Sequence, residues 1–321
     1  MKSDRMKITI NFTGIFTTLG LIAGLFIFTS FSTDEKGNTY NFPDSYRIVS
    51  PTVPSKVDFC GERVPVDNFE VYERLDRELT VNTYWHSYTI NALKNSERWF
   101  SVIEPILEKN GIPSDFKYLC VIESNLSNAS SPKGAIGFWQ FIYETGKKYG
   151  LEINSEVDER YNVEKSTEAA CKYLKEAYEK FSNWTLAAAS YNMGMNGLSF
   201  QLERQRADNY YSLVLSEETS RYIFRLLAVK EIMLNPEKYG FHLRPTDIYP
   251  PVFTREVEIT HTVKNLAEYS ESLGINYKIL KTVNPWLRDN KLTLKKKKSY
   301  TIKIPTDGIY KIITKDDLLY E

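Results

Sequence analysis

Histidine and cysteine are scarce in this chain, and net charge is absent. The three histidines, His86, His242 and His261, lie far apart and offer no metal-ligand spacing. The three cysteines, Cys60, Cys120 and Cys171, are odd in number and too few for a disulfide-stapled scaffold. They read as reduced packing cysteines, with a single Cys120 to Cys171 bridge as the alternative. Lys and Arg total 41 and Asp and Glu also 41, so no bulk field steers nucleic acid. Neither a metal centre nor a nucleic-acid partner is expected, and no cofactor is implied. A local absence matters more. Between positions 116 and 143 the only acidic residue is Glu123, so a pair-of-acids enzyme would need its second carboxylate from elsewhere.

Against these absences, 42% of the 321 residues are hydrophobic and 26% charged, enough to bury a substantial core in about two domains. Ile8 to Thr33 carries no charge, includes Gly-Leu-Ile-Ala-Gly-Leu-Phe-Ile-Phe, and follows Lys2, Arg5 and Lys7 against Asp4 alone. An apolar segment of that length can span a bilayer, and the preceding basic residues predict a cytoplasmic N-terminus with the remainder outside. Residues 1–33 therefore read as an export signal, either an anchor or a cleaved signal peptide. The anchor over 8–33 is favoured because no small-x-small site as clear as Ala-x-Ala follows, Ser30-Phe31-Ser32 being the nearest approach. This places the chain in the cell envelope on the periplasmic side, with the membrane itself as one partner. Residues 34–67 are polar and punctuated by proline, and read as a linker.

From 68 to 241 the apolar residues recur with helical spacing. Trp99, Phe100, Val102, Ile103, Ile106 and Leu107 share one face, and Ala170, Tyr173, Leu174, Ala177, Tyr178 and Phe181 another. The punctuation agrees: Gly111 closes one helix, Ser114 caps the next, Ser166 caps the helix through Phe181, and Pro236 follows the helix from Glu217. Pro105 predicts a kink. The region 242–321 changes character. Two alternating runs, at 255–260 and 300–305, bracket two short apolar stripes at 265–284, which predicts a small β-α-α-β unit docked on the helical part. The fold class is mainly α.

Glu123 ends the apolar run Leu119-Cys120-Val121-Ile122. In a partly desolvated cleft a carboxyl keeps its proton toward neutral pH; it can then donate to a glycosidic oxygen and later, as carboxylate, take a proton back. Glycosidases that hydrolyse use two carboxylates, whereas a single-acid site needs a nucleophile from the substrate. The loop that follows offers the Ser131 hydroxyl, the close-approach residues Gly134 and Gly137, and the Gln140 amide, which suits a sugar or its N-acetyl group. Trp139 and Phe141 suit either core or cleft. Farther on, Tyr191-Asn192 follows a run of small residues and precedes a glycine-broken turn, a place for a phenol and an amide facing a cleft, or for a core tyrosine and a helix cap.

Taken in order, Glu123-Ser124, Gly137-Phe138-Trp139-Gln140-Phe141, Ser190-Tyr191-Asn192, and Glu218-Thr219 with Tyr222 resemble the motifs of the lytic transglycosylase family, membrane-bound murein transglycosylase D type. The stretches at 158–174 and 234–240 are similar as well, so the resemblance covers 68–241. It implies a lysozyme-like α-helical domain that cleaves the β-1,4 bond between N-acetylmuramic acid and N-acetylglucosamine in peptidoglycan glycan strands, leaving a 1,6-anhydro end. It implies Glu123 as general acid and then base, and Ser131 and Gln140 as glycan contacts. Tyr191 would stand beside the acid, Asn192 would hold the cleft in shape, and Glu218 would serve orientation, helix capping or catalysis. Cys120 and Ser190 replace the family's usual proline and alanine, and Phe138-Trp139 suits either a stacking wall or the core. Residues 257–305 resemble a degenerate LysM module, with Lys264-Asn265 where its Gly-Asp turn belongs; the module's glycan binding and a pure packing role both fit. The run Lys295 to Lys298 reads as a solvated turn, with anionic lipid or wall polymer as the alternative. A hydrolase of the same fold and a catalytically silent wall-binding scaffold are the competing functions. No protein partner is legible.

Overall fold

The computed structural model describes residues 48–295 and 298–306. The anchor expected over 8–33 and the linker's first part, 34–47, lie outside them. The chain divides into the units Met1–Val49 and Ser50–Glu321, and the architecture below is that of the second. No helix among the described residues is long and apolar enough to cross a membrane.

The described region is mainly helical. Helix α1 (Phe69–Tyr84) starts where the Asn68 side chain accepts from Glu70 N, and it packs along α8 (Glu217–Leu234). At their contact Glu78, only 1% exposed, takes a two-pronged bond from Arg221. Burying a carboxylate is tolerable only with that kind of pairing. Helix α2 (His86–Lys109) runs on through Pro105 near its end and stops at Asn110, after which Gly111 adopts φ +67°. The helical terminator is therefore the glycine expected.

Two expected caps move. Ser114 opens a 3₁₀ turn (Ser114–Phe116) without capping it by its side chain, and α3 (Lys117–Ser124) follows directly. Helix α5 (Val163–Phe181) begins earlier than Ser166: the Asn162 side chain accepts from Lys165 N, and buried Ser166 donates back to the Asn162 carbonyl from inside the first turn. Asn162, in extended backbone just before the helix, places its side-chain oxygen on a free first-turn amide, whereas Ser166 already lies inside the helix and cannot cap it. Helix α4 (Tyr143–Lys148) lies between α3 and α5, and α6 (Trp184–Met193) and α7 (Met195–Gln205) follow α5.

The later part of the expected linker is packed structure. Strands β1 (Asp58–Phe59) and β2 (Glu62–Arg63) form a hairpin that buries Phe59 and Val64 in the helical core. Phe59 meets Phe116 edge-on at 5.3 Å, and Lys230 bridges Asp58 at 3.3 Å and Asp115 at 2.7 Å. The Glu62 carboxylate accepts from the amides of Trp184 and Thr185 and from the Thr185 hydroxyl. An anion there meets the positive end of α6 and satisfies its free donors. Cys60, Cys120 and Cys171 are free thiols.

The C-terminal unit has the expected order: β3 (Thr254–Ile259), α9 (Leu266–Ser272), α10 (Tyr277–Val283), β4 (Tyr300–Pro305). The strands pair antiparallel from Thr254 with Pro305 to Ile259 with Tyr300. Leu266, Leu280, Leu287, Leu292 and Ile302 fill its core, and fully buried Asn284 ties α10 to β4 by exchanging bonds with Lys303 N and O. Its core also takes in Val157 of the helical part. Three acidic residues of the helical part receive basic ones of this unit: Glu152 takes Lys298, Glu156 takes Lys291, and Glu164 takes Lys303. Lys298, at the end of the lysine run, is thus engaged within the chain.

Candidate active site

Helix α3 drives Leu119, Cys120 and Val121 fully into the core, each such apolar side chain contributing about 1.5–3 kcal/mol. That anchorage carries Glu123 to the helix's last turn and leaves it half-buried. Immediately after, Asn125 and Leu126 take positive φ, which ends the helix abruptly. The Tyr222 hydroxyl, from α8, donates to Glu123 Oε1. One turn along the same helix Arg225 donates to the Ile122 carbonyl at 2.9 Å, and from α2 the Tyr88 hydroxyl donates to the Val121 carbonyl at 2.6 Å.

Burial holds the Glu123 carboxyl above the usual carboxylate range; the Tyr222 hydrogen bond and the Arg225 charge pull the other way, and Glu218 adds to the rise. Burial, with the Glu123 charge behind it, keeps Tyr222 well above the usual phenol range, so it remains a donor. Tyr88 is pushed up to about 12, chiefly by burial. The site thus contains a carboxyl that favours its proton and two phenols, Tyr222 and Tyr88, that stay neutral and donate.

The loop from 129 to 141 is held by its own carbonyls. Ala129 and Gly137 oxygens accept from the Gln140 amide, the Phe138 oxygen from the Ser124 hydroxyl at 2.9 Å, and the Trp139 oxygen from the Tyr191 hydroxyl at 2.7 Å. Ser131 accepts from Ala135 N through its side chain and closes the turn. Gly137 sits at φ +83°, and a Cβ there would lie 2.0 Å from the Arg160 carbonyl oxygen. Only glycine fits that approach.

Of the residues singled out in the sequence, Ser131 and Gln140 fall in this one loop. Tyr191 stands close enough to Glu123 for the acid's charge to add to the burial that lifts its phenol well above the ordinary range. The Asn192 side-chain oxygen Oδ1 accepts from the Thr219 hydroxyl at 2.9 Å, which fastens the end of α6 to the start of α8. Glu218 is exposed and pairs loosely with Lys133 of the loop at 3.9 Å, an exposed pair of little energetic weight. Phe138 and Trp139 form no cleft wall: both are core, Phe138 edge-on to Trp99 at 4.7 Å and Trp139 donating its indole N–H to Thr167 at 2.8 Å. Among the described residues no cluster of acidic, histidine and cysteine side chains could hold a metal ion.

Arg225 and Tyr88 were not singled out by the sequence reading, and Tyr222 only as part of a motif. A signal existed for two of them. Glu218, Tyr222 and Arg225 follow at spacings of four and three, one face of a helix. Tyr88, brought in by a different helix, had none.

Comparison with known proteins follows the same lines. Residues 101–214 match the family model of the transglycosylase SLT domain, and residues 255–308 match the soluble lytic transglycosylase C-terminal LysM-like domain. The chain is homologous to proteins named membrane-bound lytic murein transglycosylase D from Escherichia coli strain K12 and from Escherichia coli O6:H1. Each is 29% identical over 243 residues, covering 73% of this chain and 52% of the relative. The chain thus spans about half the length of these curated relatives. An inactive mutant of the lytic transglycosylase Slt from Pseudomonas aeruginosa matches 48% of this chain and 26% of its own, at 21% identity and a TM-score of 0.36, a likeness too slight to bear on the geometry.

Proposed function

We propose that this chain, which carries a transglycosylase SLT domain and a LysM-like C-terminal domain, is a peptidoglycan lytic transglycosylase. The observation that carries the reading is Glu123, a carboxyl raised by burial and gripped by Tyr222, at the edge of a loop locked into shape. Such a group is suited to give up a proton to an oxygen that is leaving and to recover one afterwards.

The reaction then runs as follows. Glu123 transfers its proton to the glycosidic oxygen as the bond from that oxygen to muramyl C1 breaks, and the substrate's N-acetyl group eases the positive charge building at C1. The muramyl 6-hydroxyl bonds to C1 and passes its proton to the Glu123 carboxylate, restoring the acid. No water is consumed, and the product is a 1,6-anhydro end. The tethered hydroxyl competes with bulk water because it is already positioned. Tyr222 and Arg225 stabilise the carboxylate between the two transfers, while Ser131, Gln140, Tyr191 and Asn192 shape the loop and cleft around the glycan. Glu218 stands at the rim. The membrane anchor over 8–33 would hold this activity on the periplasmic face of the envelope.

One observation favours a second reading. The charge of Glu218 reaches Glu123, so a water-activating partner, as in an inverting hydrolase, has a candidate. Its exposure and its pairing with Lys133 leave it unsuited to hold a single water in place.

Digestion of purified peptidoglycan by the full chain, followed by mass spectrometry of the released muropeptides, separates the readings. Products about 18 mass units below the hydrolytic ones and resistant to borohydride are expected from the intramolecular attack. Reducible products would make the enzyme a hydrolase, and no products would leave a wall-binding scaffold.

A further inference from the structure

The loop that shapes the site and the C-terminal unit meet at one side chain. Arg160, 7% exposed, spreads its guanidinium over four hydrogen bonds. Nε and one Nη hold Asp158 at 3.0 and 2.7 Å, and the other Nη donates to the carbonyls of Gly134 at 3.1 Å and Phe141 at 3.3 Å. Those two carbonyls stand at the turn and at the end of the 129–141 loop, which is also tied by Ser131 N to the Ala135 oxygen, Ile136 N to the Phe141 oxygen, Gly137 N to the Ala129 oxygen and the Gln140 amide. The backbone of Arg160 serves the same loop, since its carbonyl fills the space that a side chain at Gly137 would need. A planar fork is the one side chain that can take a carboxylate on one edge and two carbonyls on the other.

The opposite side of this clamp is the seat of the C-terminal unit. Asp158 N donates to the Trp286 carbonyl at 2.9 Å, Val157 and Leu287 form a β-bridge, and Arg288 N donates to the Glu156 carbonyl at 2.8 Å. The Glu156 carboxylate accepts from Thr293 N and the Thr293 hydroxyl, and the Arg288 guanidinium lies 4.0 Å above the Tyr161 ring. The segment 156–161 therefore has the C-terminal unit on one side and the active-site loop on the other.

We propose that Arg160 is a positioning residue for the cleavage reaction and that, through residues 156–161, the seating of the C-terminal LysM-like unit sets the shape of the loop beside Glu123. The inference rests on the transglycosylase reading for its catalytic consequence, not for the mechanical link. A unit that carries the resemblance to a glycan-binding module would thereby influence the site without contributing an atom to it. Strain in a well-packed segment passes to its neighbours because interiors have little slack.

Two variants of the full chain test this, Arg160→Lys and Glu156→Ala, read by amide hydrogen exchange and by turnover on soluble glycan strands. Lysine keeps the charge beside Asp158 but cannot serve both carbonyls. The amides of Ser131, Ile136 and Gly137 are expected to exchange faster, with α1 and α8 unchanged. A loop displaced by about 1 Å lowers kcat about 10- to 100-fold, and KM changes by no more than about threefold because ground-state binding is retained. Glu156→Ala, on the far side of the segment, removes the carboxylate acceptor of Thr293 N; the Thr293 amide is expected to exchange faster, the Arg288 amide, whose acceptor is the retained backbone carbonyl, to follow as the seat loosens, and with them the same three loop amides.

Loop exchange that stays at the wild-type rate in Glu156→Ala while the interface amides loosen would overturn the link. Wild-type kcat and loop exchange in Arg160→Lys would overturn the positioning role. Should Arg160→Lys fail to fold, Glu156→Ala still decides the link. A wild-type chain that releases no fragments refutes the cleavage reading instead, and the exchange data decide the clamp regardless.

Discussion

Replacing Gly137 by alanine puts the close approach of loop and segment to a quantitative test. The added Cβ would lie 2.0 Å from the Arg160 oxygen and 2.9 Å from its carbonyl carbon, against a floor of 3.0 Å for real contacts. The two backbones must therefore part by about 1 Å. Forcing an L side chain to φ +83° costs about 1–2 kcal/mol, and opening a packed contact about 1–3 kcal/mol. The sum, about 2–5 kcal/mol, is a large share of the roughly 5–15 kcal/mol that holds a domain folded. Gly134→Ala is the control: its φ is +76° but nothing lies within 4 Å of the new Cβ, so only the conformational part applies. Urea unfolding of both variants isolates the contact, with Gly137→Ala expected to lose about 1–3 kcal/mol more than Gly134→Ala. Turnover should fall with it, about 10- to 100-fold for a displacement of this size. Equal midpoints for the two variants, or wild-type turnover in Gly137→Ala, would refute the reasoning.

Glu123→Gln should alter how stability depends on pH. Because burial raises the folded-state carboxyl, the native protein holds this proton where the unfolded chain has lost it; wild-type stability therefore falls as pH rises from the ordinary carboxyl range to the raised value, by at most about 1.4 kcal/mol per pH unit. Glutamine removes that fall, so urea unfolding of the two chains should diverge across the window and run parallel above it; a constant difference throughout contradicts a raised Glu123. Tyr222→Phe deletes a hydrogen bond that favours the carboxylate, a bond to charge being worth about 1.5–3 kcal/mol. The high-pH limb of activity, where the acid form is lost, should move to higher pH, and a limb that stays in place argues against Tyr222 as the partner of Glu123.

The helical domain was legible because its signals are local. Apolar spacing at 99–107 and 170–181 marks two buried faces, and Gly111 and Pro236 stop helices for reasons internal to the backbone. The β-α-α-β order was readable for the same reason. The strap at 50–67 was not, since Phe59 and Val64 are isolated apolar residues in a polar stretch and their burial depends on a surface presented by distant helices. Polar composition suggested a linker where the carboxylate of Glu62 caps a helix more than a hundred residues on. Glu123 could be singled out from one segment, after its apolar run, but its donor Tyr222 comes from α8 and the nearby phenol Tyr88 from α2. Those partners depend on helix packing, which periodicity does not specify.

The direction in which the polar side chains point changes what they can be asked to do. Ser131, Gln140 and Tyr191 have the chemistry of sugar-binding groups, and read singly each invites a direct contact with the glycan. In the folded chain each of them spends hydrogen-bonding capacity on the loop: Ser131 on Ala135 N, Gln140 on two carbonyls, Tyr191 on the Trp139 carbonyl. Ser124 and Arg160 complete the set. A loop whose carbonyls are fixed in advance need not reorganise as charge develops on the substrate, which is the main way a site lowers a barrier without supplying a reacting group. On the transglycosylase reading the substrate supplies the nucleophile that a second carboxylate would otherwise activate, and the side chains around Glu123, spent first on the loop, build its surroundings before the substrate arrives.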